Sequence, residues 1–532
     1  MARKSGAVLK STSFRFVDWL PFILLTVALL IQQIRVLVSF NRFYTNEDQT
    51  LLWYAGKEFI HGRWHEPNFY GQQYNTIFEA VPGAVLHVFG LSYGTAVPLG
   101  TMALVTAIWL VLAFVAFKRR HFSLAALALA APVIMRLQYL LLFDAPRGVL
   151  AGDFMIAAAI GLVVFCHDPL KKLASLTAVG GLAILWDYAA LLVIGPLLVY
   201  LLVKYWAAIW EKPLRSIGIA LVAAIPPLAW TIGSKLWFAR HPYDLTAPGI
   251  ASVPNLHDLT HNIVHLSAYV DAFSPALAPI PRVAAVAFVL LMVGLLVLAV
   301  KRKSAPLIGS LLSFGALMCY ALSLPRANNY LPDLLLSRSR LFLTLPIALW
   351  LLILLLALDR TTKAGEKLQH RPGRWTWAVI AIAILSFGFT QLHFQTITNR
   401  AMAWDKKNFL VKPLELSKTC DLIHVTYLST NAQVFATNNR NLAYGCAAEY
   451  NDFNTLEPIY ERRGWLVEAS YTQPTERLLV NLASCPQSLP THVHCSPTTI
   501  SGILLVQTPP KPAAQTLAQL GLPVKNAHIK NG

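Results

Sequence analysis

NEDQTLLWYAGKEFIHGRWHEPNFYGQQYNTIFEAVPGAVLHVFG, residues 46–90, decides how this chain is read. It follows the apolar segment Val17–Val38 almost directly. That segment is as long as a bilayer core is thick. The stretch itself is rich in acids, aromatics and amides, and it opens on the adjacent acids Glu47 and Asp48. It reads as a polar loop leaving the membrane after a first span. The basic N-terminus, Met1–Arg15, precedes that span, and no small-residue cleavage site follows it, so the span is read as uncleaved.

Composition extends the reading to the whole chain. Of 532 residues, 56% are hydrophobic and 13% charged, against roughly a quarter charged in soluble proteins. The formal net charge is +18. In a polytopic membrane protein such an excess retains loops in the cytoplasm, so nucleic acid is dropped as a partner.

The end of the opening stretch, Tyr74–Leu91, is short and holds Glu79, Pro82 and His87. It is expected to be an amphipathic helix at the interface rather than a span. The second span is then Thr95–Phe117, ending in Lys118, Arg119 and Arg120 on the cytoplasmic side. Further spans are read at Phe122–Leu142, Val149–Cys166, Leu173–Leu185, Ala189–Val203, Ile217–Phe238, Val283–Val300, Ala305–Leu324, Leu341–Leu358 and Trp375–Gln391. Leu173–Leu185 is too short to cross unaided and is expected to be tilted or broken. The polar stretch Ala239–Arg282 is placed outside. The expected fold class is an α-helical polytopic membrane protein of about eleven spans with a small C-terminal extracytoplasmic α/β domain. The domains are 1–391, with first outer loop 40–93, and 392–532.

Charge and cysteine usage agree on sidedness. Every strong basic cluster falls on one face, which puts the tail across the membrane from it. Four cysteines, Cys420, Cys446, Cys485 and Cys495, lie in the tail, an even set suited to disulfides in an oxidising compartment. Cys485, His492, His494 and Cys495 fit no common zinc spacing, and disulfides are preferred. Strands are expected at Asp421–Leu428, Gln433–Ala436, Arg477–Leu482 and Gly502–Gln507, and a helix at Ala513–Leu520. With no Asn-X-Ser/Thr sequon in the chain, the reading is a bacterial inner (plasma) membrane protein with a cytoplasmic N-terminus.

An ionisable residue near the bilayer is a functional candidate by default. The outer acids include Glu47, Asp48, Glu79, Asp144, Asp153, Asp187, Asp244, Asp258 and Asp271. A solvated loop charge is the plain alternative for each, strongest for Asp244, Asp258 and Asp271. Asp48 stands apart: it follows a span and precedes the apolar run Leu51-Leu52-Trp53-Tyr54. Restricted water there can lift a carboxylate toward a useful base. His257, His261 and His265 have helical spacing, but no carboxylate at motif spacing supports a metal. A solvated helix face is preferred, and no metal or other cofactor is indicated.

The order span, acidic pair, aromatic run, Gly62, Tyr70-Gly71-Gln72, Tyr74, Glu79, then a helix ending in Phe89-Gly90 resembles the first outer loop of GT-C class membrane glycosyltransferases. Among them it is most similar to the bacterial protein-mannosyltransferase and aminoarabinose-transferase type. Two departures stand out. Asn75-Thr76-Ile77 replaces a frequent Pro-Pro-Leu, and the acidic pair is Glu47-Asp48 rather than Asp-Glu or Asp-Asp. The resemblance implies inverting transfer of a sugar from a polyprenyl-phosphate donor to a glycan, lipid or protein acceptor on the outer face. Phosphate leaves without a general acid, so one carboxylate, Asp48 or Glu47, suffices as base. The phosphate would need cations, for which Arg338, Arg340 and Arg147 are the candidates. Anchoring to lipid headgroups is the competing role for all three and is preferred for Arg147. Gln72, Tyr74 and Glu79 would bind sugar or acceptor, or pack the loop onto the bundle.

Three other classes compete. A transporter or flippase usually shows paired halves with broken helices, and no such symmetry is visible. A polysaccharide polymerase or ligase of the cell envelope carries its distinctive outer loop late in the chain. An anchor for a binding tail needs one span.

Overall fold

The computed structural model describes residues 16–41, 52–53, 55–56, 59–62, 64, 67–69, 74–91, 93–146, 148–240, 254–264, 275–277, 281–324, 342–364, 372–408, 477–482, 493–497 and 502–507. Outside these lie Glu47, Asp48, Gln72, Arg147, Arg338, Arg340, Cys420, Cys446 and Cys485, the expected strands at 421–428 and 433–436, and the expected helix at 513–520.

The first helix, α1 (Phe16–Val36), runs into a π turn at Leu37–Asn41. A nine-residue helix follows, α2 (Ala80–Val88), then α3 (Tyr93–Lys118), α4 (Phe122–Ile134), α5 (Leu137–Phe143) and α6 (Leu150–Phe165). Next come α7 (Pro169–Ser175), a π turn at Leu176–Gly180, α8 (Gly181–Trp186), α9 (Leu191–Lys204) and α10 (Trp206–Glu211). The remaining helices are α11 (Pro213–Arg240), α12 (Leu256–Val264), α13 (Pro281–Lys301), α14 (Ala305–Leu322), α15 (Leu345–Ala364) and α16 (Arg374–Asn408). Among the described residues five helices are long and apolar enough to cross a membrane, and five shorter apolar helices accompany them. The chain is an integral membrane protein by these helices.

One large apolar core joins α1, α3, α4, α6, α9, α14 and α15. Polar side chains in and beside it donate to backbone carbonyls of neighbouring helices. The Trp350 indole donates to the Leu124 carbonyl at 2.9 Å. Arg302 donates to the Leu356 carbonyl at 3.0 Å.

The segment Tyr74–Leu91 does not span. Its helix, α2, is about 14 Å long and packs on α3 through a crossing of two glycines. A Cβ on Gly83 would lie 2.8 Å from the Val97 Cα, and one on Gly100 would lie 2.7 Å from the Gly83 amide nitrogen. Ala80, Gly83 and Ala84 are buried by this contact, while Val81, Val85 and Val88 are exposed. An apolar outer face on so short a helix fits an interfacial position.

Three expectations are corrected. The span Phe122–Leu142 is two helices, α4 and α5, separated at Met135 and Arg136. Pro132 lies in the last turn of α4, and Met135 bridges to Pro275 in extended form. The Ala276 amide takes the Ile134 carbonyl at 2.7 Å, and Gln32 donates to the Pro132 carbonyl at 3.3 Å. The last apolar segment is longer than its apolar stretch: α16 continues past Gln391 to Asn408. Asp258 is not solvated. It is 5% exposed, with its amide on the Asn255 side-chain oxygen at 2.6 Å and its carboxylate accepting from the Asn255 amide group.

The expected break at Leu173–Leu185 takes a specific form. α7, the π turn and α8 run on as one helical stretch, widened by the π turn. In the tail, β1 (Arg477–Leu482), β2 (Val493–Pro497) and β3 (Gly502–Gln507) form an antiparallel sheet in the order β1-β3-β2. The first and third were expected. The second holds His494 opposite Leu505 and Cys495 opposite Leu504.

Candidate functional site

Four buried carboxyl groups lie towards one end of the bundle: Glu79, Asp144, Asp153 and Asp187. Each was expected either to serve chemistry or to be a solvated loop charge. The structure removes the solvated reading for all four.

Glu79 precedes α2 but does not cap it. Its carboxylate instead accepts the Gly148 amide at 2.7 Å and the Leu150 amide at 3.3 Å, and the Thr101 hydroxyl at 3.3 Å. These bonds tie the end of the opening loop to the start of α6. The backbone there is fitted closely. Gly148 has φ +78°, and a Cβ on it would run into the Phe69 ring and lie 2.7 Å from the Thr76 carbonyl oxygen. The Thr76 amide in turn donates to the Gly148 carbonyl at 3.3 Å. Tyr74 contributes its carbonyl, which takes the Phe69 amide at 3.4 Å.

Asp153, in the first turn of α6, lies against Asp187, the residue between α8 and the 3-10 turn Tyr188–Ala190. Gly152 permits this approach, since a Cβ there would lie 2.7 Å from the Asp187 Cβ. Two carboxyls this close disfavour joint ionisation. Burial pushes Asp187 up to about 6, against the Ala189 amide and the hydrogen bond with Asp153, which pull it down. Among the described residues neither oxygen of Asp153 meets an N–H donor.

Asp144 follows α5. Burial pushes its carboxyl up to about 8, opposed by the hydrogen bond that Gln33 donates to Oδ1 at 3.2 Å. At neutral pH it is therefore mostly protonated. The Asn41 amide group donates to the Asp144 carbonyl at 3.2 Å. The Tyr139 ring packs between these groups, close enough for both Asp153 and Asp144 to act on its phenol. Its hydroxyl donates to the Leu343 carbonyl at 3.3 Å, and the Thr344 hydroxyl donates to the Ala189 carbonyl at 2.9 Å.

These contacts gather separate parts of the sequence. Asn41 is the last described residue before Glu47 and Asp48, and Leu52 and Trp53, just after them, are buried. Phe342, Leu343 and Thr344 are the first described residues after Arg338 and Arg340. Both flanks converge on the carboxyl-lined end.

Beside Glu79 and Asp187 stands an aromatic cluster. Phe78 lies 5.1 Å from Trp186 and 5.7 Å from Trp230, and Trp64 lies 5.9 Å from Trp230, ring centre to ring centre. Trp186 and Trp230 meet edge to face at 5.4 Å. Ser234 donates to the Asn68 side-chain oxygen at 3.4 Å. The opening loop is thereby clasped to α11.

Sequence reasoning passed over Gln33, Asn41, Thr101 and Tyr139. The available signal was the pair Gln32-Gln33 inside an apolar span, where uncompensated amides are costly. Among the described residues no group of three or more His, Cys, Asp or Glu is placed to hold a metal ion. On α12, His257 and His261 are exposed.

No family model matches the sequence, and no curated protein does. Two solved structures resemble it, both of ArnT from Cupriavidus metallidurans. One, bound to undecaprenyl phosphate, is 12% identical, covering 89% of this chain and 84% of that one, with a TM-score of 0.39. The other, in the apo state, is 13% identical, covering 89% and 83%, with a TM-score of 0.39. A likeness of this size carries nothing about the reaction, and the functional reading rests on the chain's own residues.

Proposed function

We propose that the chain is an inverting membrane glycosyltransferase that moves a sugar from a polyprenyl-phosphate donor to an acceptor on the outer face. Asp48 takes the proton of the acceptor hydroxyl. The acceptor oxygen bonds to the anomeric carbon as the bond from that carbon to the phosphate oxygen breaks, and the electron pair leaves with the phosphate. Arg338 and Arg340 offset the phosphate charge, and Glu47 is the alternative base.

One observation supports this reading above the rest. The residues flanking Asp48 and those flanking Arg340 reach the same bundle end, through Asn41 on Asp144 and Thr344 on Ala189. A base and phosphate cations that serve one site are what this convergence supports. The basic ends of α3, α9 and α13 argue that this site opens away from the cytoplasm. Glu79 holds the opening loop against α6, which is a positioning role.

The reading is tested by mass spectrometry of surface glycolipids, glycans and glycoproteins from cells with the wild-type protein, without it, and with Asp48→Asn. A sugar adduct lost in the last two supports it. Identical profiles in all three overturn it, and full activity in Asp48→Asn alone moves the base to Glu47.

A further inference from the structure

A groove of about 700 Å³ lies between α6, α7 with its π turn, and α11. It is a second place, remote from the carboxyl end: Leu162 on its wall is about 14 Å along α6 from Asp153. Small residues make it. Ala174 and Ala178 face Gly218 and Ala223 across the gap, and a Cβ on Gly218 would meet nothing within 4 Å. Apart from Ser175 the lining is otherwise apolar, with Arg215 at one rim.

The rim lies on the basic side of the membrane. Lys171 and Lys172 open α7 nearby, and Arg215 and Lys171 both act on Asp168. Asp168 offsets part of this charge but takes no hydrogen bond from Arg215. Its carboxylate is already spent on the Leu170 amide at 2.8 Å and the Lys171 amide at 3.1 Å, capping α7. Among the described residues the Arg215 guanidinium makes no hydrogen bond, so its five N–H donors are open to a ligand. Among the described residues α11 is the least covered of the long apolar helices. In a bilayer such a groove is filled by an acyl chain, and cationic rims at this depth select anionic headgroups.

We propose that the groove holds an acyl chain of an anionic phospholipid whose phosphate is bound by Arg215. The guanidinium supplies paired donors to the phosphate oxygens, and the small-residue wall takes the chain.

The test uses the full-length protein in nanodiscs containing equal phosphatidylglycerol and phosphatidylcholine, followed by detergent extraction and native mass spectrometry of retained lipid. Wild type should retain phosphatidylglycerol over phosphatidylcholine by about fivefold, the selectivity one cation near the surface supplies. Arg215→Gln should bring the ratio to unity while chain occupancy persists. Gly218→Leu fills the open space on a helix that tolerates leucine, and it should remove both lipids without lowering the melting temperature. Equal retention of the two lipids by wild type overturns the proposal. So does unchanged selectivity in Arg215→Gln, or unchanged retention in a folded Gly218→Leu protein.

Discussion

The Glu79 carboxylate and the Gly148 amide, 69 residues apart in sequence, are joined by a 2.7 Å hydrogen bond. It fastens the base of the opening loop to the head of α6. Glu79→Ala orphans the Gly148 and Leu150 amides and the Thr101 hydroxyl. A loss of about 1–3 kcal/mol is expected for each buried donor left unpaired. Glu79→Gln keeps an acceptor and should fall between. Thermal unfolding in detergent checks the order, and an unchanged midpoint in Glu79→Ala would remove Glu79 as the fastening.

Gly148 and Gly62 both have positive φ, +78° and +68°, but only Gly148 is enclosed. Gly62→Ala should cost only the left-handed backbone penalty, about 1–2 kcal/mol. Gly148→Ala adds a collision with the Phe69 ring and should cost clearly more. Paired denaturation curves decide it, and equal costs would mean that the loop shifts freely.

Asp144 makes stability depend on pH. Its carboxyl binds a proton in the folded state up to about pH 8, whereas its ordinary value is 3.8. Between these values the folded state holds more protons than the unfolded one, so stability falls as pH rises and levels off above about 8. The slope approaches 1.4 kcal/mol per pH unit at most. Asp144→Asn mimics the protonated group and should flatten the profile between pH 5 and 8. Melting temperatures of both proteins across that window provide the measurement.

Trp230→Ala removes two ring contacts that hold the opening loop to α11, with Trp64 and Phe78, and a third that joins α11 to Trp186 of α8. At about 0.5–1.5 kcal/mol per aromatic pair, the loop should open more often while the bundle stays folded. Limited proteolysis should cut within residues 54–75 several-fold faster, with melting little changed. Protection equal to wild type would show that Asn68 and Ser234 suffice.

If Arg340 binds the donor phosphate, Arg340→Ala should raise the donor KM at least tenfold, the loss of about 1.4 kcal/mol. An unchanged KM with normal membrane insertion would leave Arg340 as a headgroup anchor.

The apolar helices were legible because length and hydrophobicity alone identify them. So was the short character of α2, since Glu79, Pro82 and His87 forbade a span. The break at Met135 was not, because Leu137–Phe143 is as apolar as what precedes it, and the break depends on Pro275 and Ala276 from far along the chain. The same holds for the site. Asp153, Asp187 and Asp144 were visible as acids, but what sets them apart is contact with Gly152, Gln33 and one another. Of those partners only Gln33 carries a local mark, as one of two adjacent amides inside an apolar span. β2 escaped because its alternation, Val493 and Cys495 against His494 and Ser496, is only four residues long and ends in Pro497, and the strand exists by its pairing with β3.

The π turn at Leu176–Gly180 sets the rotational phase of everything between α7 and Asp187. One residue advances an α-helix by about 100°. A π turn takes up one residue more than an α turn, so winding the same residues as regular α-helix would swing Trp186 and Asp187 by that angle, away from Phe78 and Asp153 together, whereas deleting one residue from the turn restores regular winding and leaves both in phase. The turn is thus a phase key: it absorbs one residue so that aromatic clasp and carboxyl pair stay aligned, and a one-residue deletion within it should leave both in place, while one within α8 should uncouple both at once.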